Sequence, residues 1–448
     1  MGGYIAAAFL AIAIIRILKD KTLIAPDVIF TIEWFLICGL ASLQLYEFYE
    51  VGSKTWLMVL IGGLSYCVGV RLSASKIGLN VKSGEHISHN KRTREIKNDS
   101  LKYIFWILGI IILTVRVYNL YRTRIYIEMG YTLAEIRAAS YGAFDIPGFR
   151  RSSTGIMVLV RKIFDALNTI VIAEGVYLSI FSAKKDYRPI MVSFLITIMS
   201  SLSDGGRFGL VYLFIEIIVC IFLERKKERL AVSNYKKRKK RSWMFYILIG
   251  VLLIGMVFGV TAMRGRTGDV AIEHLYLYLC GDAILLDRHI GFLESSDMSY
   301  GFSGLYGITT IVLPILKHMG IPYPKKYLDV GAIIEQAAIP KKIGTHSVMN
   351  AFVTPYYYLY ADFRWVGIII GMILFGIVSG NYYNRAVNDK NHFNIIIYLI
   401  ISQMIFKTVH QYYLSSSDYV IILFIALIVR KFRFTLHKSG FETRQMDY

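Results

Sequence analysis

The chain is 448 residues long, 55% hydrophobic and 18% charged, and its mean hydropathy is +0.49, outside the balance of a soluble domain. Its net charge of +20 at pH 7 argues for nucleic acid only if the basic residues lie away from apolar runs, and they do not. Lipid admits helices or closed barrels, and the apolar runs here are continuous rather than alternating in ten-residue strands, which excludes an outer-membrane barrel.

In chain order the runs predict eleven spans, at 2–18, 28–46, 55–72, 101–119, 154–182, 188–202, 206–223, 243–263, 364–380, 393–409 and 414–430, most of them near the length that crosses a bilayer. The first run, GGYIAAAFLAIAIIRIL, has no basic n-region and is followed by RILKDK, so it reads as a retained span and not as a signal peptide. RILKDK, the stretch 71–102, AKKDYR, ERKKERLAVSNYKKRKKR, NYYNRAVNDK and the tail RKFRFTLHKSGFETR are basic, whereas EFYEVGSK is acidic. Lysine and arginine favour the cytoplasmic side, so this alternation predicts an amino terminus outside and a carboxyl terminus inside. KKRKKR is then an orientation signal touching anionic lipid, and no nucleic acid is needed. Cys38, Cys67, Cys220 and Cys280 are far apart, with no CxxC pair, and read as small core residues.

Two long segments fall outside, 120–153 and 264–363. The second contains HLYLYLCGDAILL and GLYGITTIVLPILKHMG, which suit re-entrant or interface-lying helices, so a folded extracytoplasmic cap is expected over one membrane domain, 1–448. Arg116, Arg122, Arg124, Arg137, Arg150, Arg151, Arg207, Arg264, Arg266, Arg288 and Arg364 fall on or near this outer face. Topology does not require them there, and guanidinium forks onto phosphate or carboxylate oxygens.

At 200–214, SSLSDGGRFGLVYLF places two glycines at an outer turn, with Arg207 opening the next helix. A cation there reinforces the positive end of the helix dipole, which suits an anion. The alternative is that Asp204 pairs with Arg207 only to cap the turn. In TAMRGRTGDV, Arg264 and Arg266 are separated by one glycine. They repel unless an anion lies between them, or they snorkel to the interface. Arg207, Arg264 and Arg266 together are able to enclose a pyrophosphate.

SDGGR, RGR, the large late loop and GTHSVMNAFVTPYYYLYADFRWVGIIIGMILFGIVSG form a pattern that resembles the Wzy-type O-antigen and capsular polysaccharide repeat-unit polymerases. These are membrane glycosyltransferases of the GT-C class, related to the O-antigen ligases. The resemblance implies an all-α, GT-C-like polytopic fold in the bacterial cytoplasmic membrane. It implies transfer of a polyprenyl-pyrophosphate-linked glycan onto the non-reducing end of an incoming lipid-linked repeat unit at the outer face, with no cofactor. The implied partners are the undecaprenyl-pyrophosphate-linked donor and acceptor, the lipid bilayer, and a chain-length regulator and flippase of the same pathway. By motif, the family's essential arginines fall on Arg207, Arg264 and Arg266, and its loop histidine on His346. Arg364 stands where the family commonly has glycine, either as a fourth anion contact or as an interfacial anchor.

The chemistry of that transfer requires charge neutralisation on the leaving diphosphate and a base for the acceptor hydroxyl. Fixed arginines, with Arg116 joining the three above, supply the first without a metal, and no DxD pair occurs. His346 and Asp204 are the catalytic candidates, with His274 and Asp282 competing. Asn350, Tyr357 and Asp282 are candidates for sugar or acceptor contacts. The tyrosines of YYYLYADF suit sugar faces or an interfacial belt equally. Glu33, Glu174 and Glu216 fall within spans and are expected to face the bundle interior. An O-antigen ligase uses the same donor with another acceptor, and a transporter of lipid-linked glycans would spread its charges through the membrane's thickness.

Overall fold

Without water to hydrogen-bond the backbone, apolar runs of this length close their amide groups within helices. The computed structural model describes residues 1–80, 99–140, 145–147, 155–181, 186–204, 206, 208–231, 251, 255, 269–350, 353–388 and 392–428. The helices are α1 (Gly2–Asp20), α2 (Pro26–Leu43), α3 (Ser53–Asn80), α4 (Asp99–Glu128), α5 (Leu133–Ser140), α6 (Gly155–Phe181), α7 (Arg188–Asp204) and α8 (Phe208–Ala231). They continue with α9 (Asp269–Ser295), α10 (Tyr306–His318), α11 (Lys325–Ala338), α12 (Pro355–Asn388), α13 (His392–Phe406) and α14 (Ser417–Ile428).

Among the described residues, seven helices are long and apolar enough to cross a membrane: α1, α2, α3, α4, α6, α12 and α13 with the 3-10 turn that follows it. The chain is thus a helical membrane protein. Two further expected spans, 188–202 and 414–430, appear as shorter apolar helices. Span 206–223 lies largely within α8, and span 243–263 falls almost wholly outside the described residues.

Helices α3 and α12 pack closely against each other. Gly69 and Gly376 lie face to face, with a Cβ built on Gly376 only 3.0 Å from the Gly69 Cα, and a Cβ on Gly69 running into the Ile373 carbonyl. Small residues permit such backbone approach where water exclusion gives little drive between spans. Gly376→Ala should therefore lower stability by about 1–3 kcal/mol through overpacking, read as an earlier thermal midpoint of the detergent-solubilised protein.

Helix α12 starts at Pro355, nine residues before the predicted span, with proline in the first turn. Tyr356 to Asp362 are consequently buried helix and not loop. The helix bends at Phe363 and Arg364, where φ is +53° at Arg364, a conformation costly for a residue with a Cβ. Asp362 explains the bend. Its carboxylate is 3% exposed and accepts hydrogen bonds from Ser299 Oγ (2.6 Å) and the amides of Gly301 (3.0 Å), Ser303 (2.9 Å) and Gly304 (2.7 Å). The loop 299–304 is wrapped around one buried carboxylate. The Arg364 guanidinium donates to the Leu293 carbonyl (2.6 Å) and the Ser296 carbonyl, closing the end of α9, where orphan carbonyls and the negative end of the dipole favour a cation. In the structure Arg364 acts as a helix cap.

Helix α9, expected within an external loop, packs on the ends of α2 and α3. Tyr276 donates its hydroxyl to the Leu40 carbonyl at 2.5 Å, and Asp287 accepts the Gly52 amide at 3.0 Å. A two-stranded hairpin, β1 (Lys341–Lys342) and β2 (Val348–Met349), pairs antiparallel and is tied to the α2–α3 connection by the Tyr49 amide on the Ile343 carbonyl (2.9 Å). With α10 and α11 this forms a cap at one end of the bundle. Helix α10 buries only Gly307 and Leu313 and exposes Leu305, Ile308, Val312, Ile315 and Met319 in one stripe at helical spacing, the pattern of a helix lying in an interface.

Candidate functional site

Asp282 sits in the apolar run LCGDAILL of α9 and is fully buried. A carboxylate in such a setting needs a partner to offset its lost hydration. The partner is His410, 128 residues away: its Nδ1 lies 3.2 Å from Asp282 Oδ2 and 3.4 Å from Oδ1. When Asp282 is ionised it accepts the Nδ1–H, which fixes the imidazole tautomer with its lone pair on Nε2, the arrangement of a general base.

His410 directly follows the 3-10 turn Lys407–Val409 that ends α13. Trp34 Nε1 donates to Thr408 Oγ1 at 3.4 Å, so this turn is level with the middle of α2, near buried Glu33. The Phe208 ring meets His410 edge-on at 4.8 Å and Tyr278 at 6.1 Å. Phe208 is the first residue of α8. Thr123 of α4 donates to the Ser203 carbonyl near the end of α7 at 3.1 Å, and a Cβ on Gly206 would come within 3.3 Å of Arg137 Nη1 of α5. The Arg137 guanidinium thus lies close against Gly206.

Of the residues singled out in the sequence, Arg207, Arg264 and Arg266 lie outside the described residues, as does the side chain of Asp204, the last residue of α7. Asp282 lies at the site. Arg116 is 6% exposed, pairs with Asp165 at 3.1 Å and stacks over Phe164 at 5.5 Å, an ion pair between α4 and α6. His346 is at the exposed tip of the hairpin, its Nε2 3.9 Å from Glu47 Oε2. The hairpin itself rests on Gly281, where a Cβ would come within 2.8 Å of Met349 Sδ, one residue before Asp282. Asn350 donates to the Ala338 carbonyl at 3.3 Å. Tyr357 is buried, donates its hydroxyl to the Ile333 carbonyl at 2.8 Å and meets His289 edge-on at 5.6 Å. Its hydroxyl serves the cap core.

Glu33, Glu174 and Glu216 are buried, as expected, and Glu216 accepts from Gln403 Nε2 at 2.6 Å. A cleft of about 200 Å³, lined by Phe292, Ser299, Lys326, Asp329 and Ile333, opens near the far end of α9, ~15 Å or more along the helix from Asp282 at 1.5 Å per residue.

His410 was not singled out in the sequence. Two signals point to it in retrospect: a charged residue in an apolar run, Asp282, demands a partner, and His410 stands in the short connection between two spans, HQYY. Comparisons with protein-family models, with curated proteins and with solved structures gave no match.

Proposed function

We propose that this protein is a membrane glycosyltransferase that extends a glycan by transferring it from a polyprenyl diphosphate onto a hydroxyl of a second lipid-linked repeat unit. In this reading eleven spans form a GT-C-like bundle, with the amino terminus and the cap outside and the site in the outer half. The observation that supports it is the Asp282–His410 pair in contact with Phe208, next in sequence to Arg207. His410 Nε2 takes the proton of the acceptor hydroxyl as its oxygen bonds to the donor anomeric carbon. The bond from that carbon to the phosphate oxygen breaks, and the diphosphate leaves with its charge met by Arg207, Arg264 and Arg266.

The test is a reconstituted assay with lipid-linked repeat units, scored for a ladder of lengthened glycans. Wild-type protein should give the ladder, while Arg207→Ala and Arg264→Ala should abolish it with expression unchanged. Full-length product from both variants would remove the diphosphate clamp.

A second reading, a transporter of lipid-linked glycans, is favoured by the buried carboxylates Glu33 and Glu216 within the spans. It expects translocation of a labelled lipid-linked glycan across proteoliposomes without any lengthening.

A further inference from the structure

We infer that Lys407 binds an oxyanion of phosphate type beside His410. For its substrate class the inference rests on the glycan-transfer reading, and it adds to that site a cation that no motif indicated. Lys407 is the first residue of the 3-10 turn after α13. It is part-buried, and its Nζ lies 4.4 Å from the centroid of the Tyr419 ring. Among the described residues it has no carboxylate within ion-pair distance. The acid nearest in the chain of contacts, Asp418, is held by Lys162 at 3.0 Å.

A lysine at this depth whose nearest carboxylate is already engaged by another lysine carries a desolvation cost that the face of one tyrosine offsets only in part. Asp418 acts on Lys407 only from beyond ion-pair distance, and its short contact is with Lys162. In a 3-10 turn, residues i and i+3 eclipse, so Lys407 and His410 project from the same side. On that side His410 meets Phe208, the residue after Arg207. A phosphate oxygen placed there would give Lys407 the close anionic partner it lacks among the described residues.

Two lipids carry that group: the diphosphate of a polyprenyl carrier and the headgroup phosphate of an anionic phospholipid. The experiment separates them. Full-length protein is reconstituted in nanodiscs of phosphatidylcholine, and binding of undecaprenyl diphosphate and of phosphatidylglycerol is measured for wild type, Lys407→Gln and Lys407→Arg. Loss of one charge-assisted contact should weaken binding of the preferred lipid about tenfold or more in Lys407→Gln, while Lys407→Arg stays within about threefold.

Dependence on Lys407 for undecaprenyl diphosphate assigns the carrier, and dependence only for phosphatidylglycerol assigns the headgroup. Either supports the site. The ligand-free thermal midpoint of Lys407→Gln should equal or exceed that of wild type, because an unpaired charge is removed. Equal binding of both lipids by Lys407→Gln and wild type overturns the inference. So does a ligand-free midpoint well below wild type, which would make Lys407 a structural cation. Absence of a glycan ladder from wild-type protein with normal Lys407-dependent binding would defeat the transfer reading and leave this inference standing.

Discussion

Replacing His410 with alanine should slow glycan extension by about 10²–10⁴-fold, the usual contribution of a positioned general base. Binding of the lipid-linked donor should change far less. Removing the imidazole leaves the buried Asp282 charge unpaired, which by itself costs about 3–5 kcal/mol of stability. The informative companion is therefore the double change Asp282→Asn with His410→Gln, which removes both charges and keeps the hydrogen-bonding volume. It should remain folded by size-exclusion chromatography and still be slow. A folded double variant that extends glycans at the wild-type rate would remove His410 from the chemistry. His346→Ala is the control: an exposed side chain beside Glu47 should cost little if His410 is the base.

The second large effect is structural. Asp362→Ala should destabilise the protein by at least about 3 kcal/mol, because a buried carboxylate accepting four hydrogen bonds leaves the donors of loop 299–304 unpaired when it goes. Ser299 and Ser303 are themselves buried, so water cannot readily replace the lost acceptor. The expected result is little monodisperse protein after solubilisation. Asp362→Asn should be only partly tolerated, since its amide group turns a donor toward donors. If Asp362→Ala purified normally with an unchanged thermal midpoint, the carboxylate would not be the element that holds the cap loop to the bend in α12.

These predictions differ in how far the sequence announced them. Asp362 stood in view within YYYLYADFRWVG, but the stretch reads as a tyrosine-rich loop until it is seen as helix bent around its own carboxylate. Arg364 shows the same limit from the other side. Its sign and place in the chain fit an anion contact or an interface anchor, and the carbonyls it caps lie at Leu293 and Ser296. Tyr357 had the chemistry of a sugar platform, yet its hydroxyl is donated to a main-chain carbonyl within the cap. Asp282 was picked as a sugar or acceptor contact, and what holds it is a histidine 128 residues away.

The sequence by itself determined that the chain is a bundle of membrane helices and where most of them begin and end. Apolar runs must close their own backbone hydrogen bonds in lipid, and this constraint is local, legible from composition and length. The tertiary structure alone decided which groups meet: Asp282 with His410, Arg116 with Asp165, and Lys407 with the Tyr419 ring. A buried charge states its need for a partner in the sequence, but the partner's identity depends on which helices pack together, and that is fixed by contacts between residues far apart in the chain.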